Sequence, residues 1–388
     1  MSPSLMDKLR MIDAQPDKPK SPQAEQAVST DCYYRKEEYG LEAFCPPKYA
    51  TQETLRQLFE CPFPHPLARE DMLFMDTETT GLSSGAGTVA FLVGLGFFKN
   101  GRFVVEQYLM RDYPEERYLL SAVADRMRRY PFLCTFNGKT FDVPLLRSRM
   151  TLSRIATDCL DGAHGDLLPP SRRIWKLRLG KCKLSTLENA LLGVERVDDL
   201  PGDQVPKAYF RYLKLHDFYP LERIMDHNRQ DIVSLAQLLF YACQCHARPE
   251  EVASQLDLFS MAKALSRTDE RKAVKCYRLC AHGETRADAY DALALHEKRA
   301  GNAAQAVKLY QAMAKRGDRP VEACEALAKL YEHQLGDVER ALMYTRQALL
   351  LLAEPKLNSD GTVQDAQNAL QYRYARLLRK QQKRYEAR

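Results

Sequence analysis

Residues 71–79 constrain the fold of this chain more than any other stretch. Met72-Leu73-Phe74-Met75 is a short apolar run that ends in Asp76-Thr77-Glu78. Consecutive apolar positions of this length suit a strand covered on both faces, so the run predicts a buried strand. Alternate strand residues share a face, so Asp76 and Glu78 point the same way. Two carboxylates at ~4 Å repel by about 4 kcal/mol at an effective dielectric of about 20. A cation removes that penalty. An isolated Asp-x-Glu is also an ordinary acidic strand end, so the neighbouring elements must decide.

Those neighbours read as an α/β core. Thr88 to Phe98 is β-branched and aromatic, Asn100-Gly101 is a hairpin turn signal, and Arg102 to Met110 alternates like the return strand. Glu115 to Tyr130 is helical, with Leu119, Leu120, Val123 and Met127 on one stripe. Phe132 to Phe136 reads as a strand, Val143 to Met150 as a helix, and Leu221 to Cys245 as a long closing helix. The expectation is a mixed sheet flanked by helices over 71–248. Before it, residues 1–30 are polar and carry Pro16, Pro19 and Pro22, which predicts a disordered arm. Residues 31–70, with Tyr33, Tyr34, Tyr39, Phe44 and several prolines, predict an extended segment lying over the domain.

Beyond Pro249 strand signals stop and the sequence repeats itself. Ala292-Leu293-Ala294 recurs as Ala326-Leu327-Ala328, and Ala306-Val307 as Ala341-Leu342. Gly301-Asn302 and Gly336-Asp337 fall at the turns between paired helices. A period of about 33 to 35 residues with small residues at helix crossings resembles tetratricopeptide repeats, so 249–388 is expected to be an all-α helical-repeat domain.

Composition narrows the function classes. The 388 residues carry 11 Cys at irregular spacing and a formal charge of +6. That usage fits free thiols in a reducing compartment, and no secretory leader is recognisable, so a cytoplasmic protein is expected. The longest apolar stretches, such as Thr88 to Phe98, are too short to span a bilayer. Cys243-Gln-Cys245-His246 lacks a second pair at zinc spacing and reads as a buried helix face. The mild positive charge permits an acidic partner.

Three motifs then stand in order. Phe74-Met75-Asp76-Thr77-Glu78-Thr79-Thr80-Gly81-Leu82 ends the first strand. Asn137-Gly138-Lys139-Thr140-Phe141-Asp142 lies between a strand and a helix. His227-Asn228-Arg229-Gln230-Asp231 lies on the closing helix, with His227 and Asp231 one turn apart. The set resembles the DEDD 3′–5′ exonuclease superfamily, which has a ribonuclease H-like fold. His227 stands four residues before Asp231, where members with tyrosine place that residue; Asp226 takes the five-before position used by histidine members. With the downstream repeats, the chain is similar to the bacterial YprB-like ribonuclease H-like proteins over roughly residues 70–247.

The resemblance implies a nuclease that hydrolyses phosphodiester bonds with two divalent cations, Mg²⁺ or Mn²⁺, on single-stranded or frayed DNA or RNA ends. In that scheme Asp76 bridges both ions, Glu78 and Asp231 hold the ion that binds the attacking water, and Asp142 serves the other. Carboxylate oxygens suit such hard ions. His227 takes the proton of the attacking water. Thr79, Thr80 and Leu82 lie against the terminal nucleotide, and Asn137 and Phe141 are candidates for sugar and base contacts. Arg172, Arg173 and Lys176 around Trp175 suit phosphates and a stacked base. A solvated helix face with Trp175 in the core explains the same residues. His164 and Asp166 are candidates for the site, with Asp166 as a local cap the simpler reading. A structure-specific endonuclease and a non-catalytic nucleic-acid-binding module remain as alternatives. The repeats are expected to bind a protein partner.

Overall fold

The computed structural model describes residues 32–44, 47–60, 66–81, 87–196, 200–202, 204–353 and 361–386. The arm expected over 1–30 lies outside them. The chain divides into two units, Met1–Glu251 and Val252–Arg388.

The first unit is built on six strands: β1 (Tyr33–Tyr39), β2 (Met72–Thr79), β3 (Ala90–Lys99), β4 (Arg102–Leu109), β5 (Phe132–Thr135) and β6 (Ala163–Asp166), in the order β1-β4-β3-β2-β5-β6. β1 through β2 in that order pair antiparallel, and β5 and β6 add on in parallel. The mixed sheet is the one expected. Asn100 and Gly101 both adopt positive φ, which lets β3 turn tightly into β4. The helices are α1 (Gln52–Phe59), α2 (Glu116–Met127), α3 (Asp142–Leu152), α4 (Leu168–Leu179), α5 (Leu184–Leu187, continued by a π turn over Glu188–Leu192), α6 (Val205–Leu215) and α7 (Tyr219–Ala247).

β2 is central, and the alternation of its residues sorts the layers. Leu73 and Met75 join Leu119, Leu120 and Val123 of α2 and Leu145, Leu146 and Met150 of α3 in one core cluster. On the other face Phe74 meets Phe98, Phe103 and Phe240 of α7 edge to face. Asp76 and Glu78 continue that second face. α7 comes close to the sheet there because β3 carries glycine beneath it. A Cβ at Gly96 would lie 2.4 Å from Ile232, and one at Gly94 would lie 2.2 Å from the Asn228 side chain.

Residues 31–70 depart from the extended segment expected. Tyr33–Tyr39 is a strand in full register with β4, from Tyr33↔Leu109 to Tyr39↔Phe103. Its aromatic side chains are committed to the sheet: Tyr34 donates to the buried Glu106 at 3.0 Å, and Tyr39 meets Arg229 of α7 at 3.1 Å. Thr51 caps α1, whose Leu55 and Leu58 are buried. A tyrosine-rich stretch with few aliphatics lacks the alternation by which such a strand is recognised. Among the described residues no helix is long and apolar enough to cross a membrane.

The second unit is helical: α8 (Gln255–Leu265), α9 (Glu270–Leu279), α10 (Arg286–Arg299), α11 (Ala303–Arg316), α12 (Pro320–His333), α13 (Val338–Leu352) and α14 (Gly361–Glu386). Each packs on the next. The starts of α10 and α12, and of α11 and α13, reproduce the sequence period. Ala294, Ala306, Ala328 and Ala341 are fully buried where helices cross, and Gly301 and Gly336 turn the chain at positive φ.

β1 and α1 belong to the first unit's core, so its folding boundary lies before residue 32. A fragment 32–251 is expected to unfold cooperatively in urea, whereas 60–249 exposes the edge of β4 and loses the α1 cover. The expected result is a clearly lower midpoint or self-association of the shorter fragment on size exclusion. Equal midpoints and a monomer in both would show β1 to be dispensable.

Candidate active site

Asp76 is held by a hydrogen-bond chain that begins two strands away. Gln107 of β4 is buried and donates to the Met225 carbonyl at 2.7 Å and to Asn228 Oδ1 at 2.9 Å. Asn228, also fully buried, donates through Nδ2 to Asp76 Oδ2 at 2.9 Å. Gly94, the register partner of Asp76, leaves the space that Asn228 fills. The Asp76 carboxyl is therefore oriented by an amide that cannot neutralise it. Burial pushes its pKa well above the carboxylate range, and the negative charges of Asp231, Glu78 and Asp142 push it further; Asn228 works in the opposite direction.

Asp142 opens α3 and accepts from the Thr77 hydroxyl, the β2 residue between the two acids. Burial raises its pKa to about 6 against that hydrogen bond. The loop before it is set by Asp166 of β6, which is buried and accepts from the Asn137 amide at 2.8 Å, the Lys139 amide at 3.1 Å and the Leu168 amide at 3.0 Å. Asp166, one residue before the helix cap, thus ties the first amide of α4 to the loop of the second motif. Asn137 takes a φ of 69°, a conformation asparagine tolerates better than most residues. His164 bonds Thr135 at 2.8 Å, and burial lowers its pKa to about 4, so it is a neutral structural partner.

The third motif is split by the helix. His227 and Asp231 look toward β2: His227 Nε2 lies 3.8 Å from Glu78 Oε1 and 3.5 Å from Asp231 Oδ2. Asp226 faces away and pairs with Arg35 of β1 at 3.0 Å. Burial raises the pKa of Asp231, while Arg196 and His227 lower it.

Arg196 is a site residue that sequence reasoning missed. Its guanidinium forks onto Glu188, Nε to Oε2 at 2.6 Å and an Nη to Oε1 at 2.7 Å, with Glu188 wholly buried in the π turn. The same guanidinium bonds Asp231 and meets His227 Nδ1 at 3.0 Å. Burial works against its charge, yet Glu188 and Asp231 raise its pKa overall. Arginine can only donate, so Nδ1 of His227 must accept, and the neutral ring carries its proton on Nε2, facing the acids. Nothing local marks Arg196, which follows Glu195 in a loop, as a partner for a helix 31 residues on.

The residues expected to hold substrate fare unevenly. The Thr79 hydroxyl donates to the Gly81 carbonyl at 2.7 Å, and Thr80 is tied to Val89, so both shape the turn after β2. Leu82 lies outside the described residues. Asn137 accepts from the Thr140 hydroxyl through Oδ1, and Phe141 is half-buried at the start of α3. Arg172 and Lys176 are exposed and share a cavity of about 340 Å³ with Lys181 and Lys183. Two expectations need correction. Trp175 is 1% exposed and stacks near Tyr241 of α7, so its ring cannot receive a base. Arg173 is anchored to Glu60 and the Leu58 carbonyl, fastening α4 to α1. A helix that carries cations on one face still needs an apolar residue on the other, and Trp175 is that residue. Cys243, Cys245 and His246 are buried in α7, as expected.

The donor set suits hard dications. Asp76, Glu78, Asp142 and Asp231 offer only oxygen, and their mutual repulsion is what a cation relieves. Among the described residues no three metal-binding side chains already converge as a closed cluster. Asp231 is engaged with Arg196 instead.

Residues 73–243 match the family model of the RNase_H superfamily. The chain is 35% identical over 174 residues to the uncharacterized protein YprB of Bacillus subtilis (strain 168), a match covering 45% of this chain and 42% of that protein. The chain thus spans less than half the length of this curated relative. It is also similar to a family B DNA polymerase from the archaeon Pyrobaculum calidifontis, with a TM-score of 0.36 and 13% identity over 61% of this chain and 30% of that one.

The raised carboxyls give a prediction with a defined sign. An acid whose pKa is higher in the fold than in the unfolded chain binds its proton more tightly when folded. The ion-free fold therefore loses stability as pH rises from about 4, the unfolded value, through about 6 for Asp142. Millimolar Mg²⁺ or Mn²⁺ is expected to raise the thermal midpoint at about pH 7.5 and much less at about pH 5. An equal shift at both, or none at the higher pH, would remove these residues as an ion site.

Proposed function

We propose, from the premise that residues 73–243 are an RNase_H superfamily domain, that this chain is a nuclease hydrolysing phosphodiester bonds with two divalent cations, Mg²⁺ or Mn²⁺. Its favoured substrate is the 3′ end of a single-stranded or frayed nucleic acid, attacked as an exonuclease. The observation that carries the reading is the set of four acids from three separated motifs, in which the charges of Glu78, Asp142 and Asp231 act on the buried carboxyl of Asp76. A superfamily domain retained only to bind has no use for that repulsion. The second unit is proposed to be tetratricopeptide-like and to dock a protein partner.

Asp76, Glu78, Asp142 and Asp231 would hold the cations, which supply charge neutralisation and a water acidic enough to attack phosphorus near neutral pH. The chain's own residues do the rest. Asn228 and Gln107 keep Asp76 from turning away. Thr77 fixes Asp142. Arg196, clamped by Glu188, holds Asp231 and sets the proton of His227 on Nε2. In that form His227 presents a donor where the sequence suggested a base, and its work is to orient the carboxylates and the groups bound to them. The turn at Thr79 and Thr80, with Leu82, and the Asn137–Phe141 loop remain the proposed seat of the terminal nucleotide. Arg172 and Lys176 are proposed phosphate contacts.

An assay with end-labelled DNA and RNA strands, with and without Mn²⁺, tests the reading. Stepwise shortening from the 3′ end is expected; internal cuts at branched substrates would favour the endonuclease alternative. Asp76→Asn and Asp231→Asn should each abolish hydrolysis with circular dichroism unchanged. Metal-dependent turnover surviving in both would end the assignment.

His227→Ala and Arg196→Gln should each slow turnover by about 10²-fold, the scale for losing one positioned donor. Arg196→Lys should recover only part, because an ammonium cannot fork between Glu188 and Asp231. The ring ¹⁵N shifts of His227 should report Nε2–H in the parent chain. A proton on Nδ1 would return His227 to the role of base.

A further inference from the structure

With Trp175 buried, α4 offers the candidate site no accessible aromatic, and a cleft at the start of α7 supplies one. A cavity of about 660 Å³ lies between α6 and the start of α7, lined by Lys207 and Arg211 of α6 and by Tyr219, Pro220 and Arg223 of α7. We infer that this cleft binds the single-stranded nucleic acid running away from the four acids, with Tyr219 as a base platform and Lys207, Arg211 and Arg223 as phosphate contacts. The strand's destination rests on the nuclease reading above; the binding site does not.

Three observations support the placement. Arg223 stands one helical turn before His227, which stands one turn before Asp231, so the cleft continues the α7 surface that carries the site. Arg223 lies roughly 12 Å along the axis from Asp231 at about 1.5 Å per residue, within reach of the next nucleotides of a bound strand. α6 is pinned to the same end of the sheet: Tyr209 stacks on Phe91 with ring centroids 4.0 Å apart, next to the Thr79↔Ala90 pair that ends β2. Tyr219 is 64% exposed, whereas Trp175 is buried. The cleft also contains Asp217, whose carboxylate accepts from the Tyr219 amide at 3.2 Å. Among the described residues that line the cleft, Lys207, Arg211 and Arg223 stand with one carboxylate, that of Asp217. Base stacking is sequence-tolerant and cations follow the backbone, the combination that grips single strands.

The test is fluorescence anisotropy of the full chain with short fluorescein-labelled oligo(dT) and oligo(rU) strands, in EDTA, across a salt series. Lys207→Gln with Arg211→Gln is expected to flatten the log–log salt slope by about 1.4, two contacts at about 0.7 each. Tyr219→Ala should weaken single-strand binding by roughly 10-fold, with Tyr219→Trp restoring it. These side chains are exposed or half-buried, and unchanged melting curves will establish folding. A preference between the two strands identifies DNA or RNA as the ligand. Unaltered slope and affinity in both the charge and the Tyr219→Ala variants would overturn the inference. The nuclease reading is judged separately, by Mn²⁺-dependent hydrolysis of the p-nitrophenyl ester of thymidine 5′-monophosphate by the unaltered chain. No turnover there would sink that reading while the anisotropy still decides the cleft.

Discussion

Much of the first unit exists to keep negative charges near one another at the end of a buried strand. Asp76 is raised by burial and by three other acids, so left to itself the site would spread apart or protonate. The fold resists spreading from several directions. Gln107 and Asn228 restrain Asp76 from the side of α7, Thr77 restrains Asp142 from within β2, and Arg196 restrains Asp231 from the π turn. Gly94 and Gly96 are part of the same solution, because a Cβ at Gly94 would collide with the Asn228 side chain and one at Gly96 with Ile232 and Phe103. Retaining these groups costs stability in the absence of a countercharge.

What could be read in the sequence follows from how local each signal is. β2 to β5, α2, α3 and α7 were legible because their apolar periodicity is carried by the element itself. The four acids and His227 could be proposed as a site because each sits in a short motif on a recognisable element. The second unit was legible for a related reason: its buried alanines and turn glycines recur, so a signal weak in one helix is reinforced by its repeats.

The misses are long-range. β1 is a strand because β4 offers it an edge and because Glu106 and Arg229 receive its tyrosines, partners 72 and 190 residues away. β6 is only Ala163–Asp166, too short to show alternation. Arg196, held by Glu188 eight residues before it, reaches the site through its contacts with His227 and Asp231, 31 and 35 residues away. Trp175 illustrates the opposite failure. Its cationic neighbours are real, but composition cannot tell which face of α4 turns inward, and a large apolar ring among cations is the residue best suited to anchor the helix.

The spacing of the third motif shows how helix geometry and distant partners select one residue. On an α-helix a residue four before Asp231 is displaced by about 40° around the axis, and one five before by about 140°. The first position, His227, falls between Asp231, Glu78 and Arg196. The second, Asp226, falls on the face that α7 turns to β1, where Arg35 and Arg229 take up its charge. A histidine moved to the five-before position on this helix would meet those two arginines and turn away from the acids. The edge strand therefore bears on the site from a distance: its Arg35 engages Asp226, and its Glu37 and Tyr39 engage Arg229, so it helps fix the rotation of α7, and that rotation decides which residue of the motif faces the carboxylates.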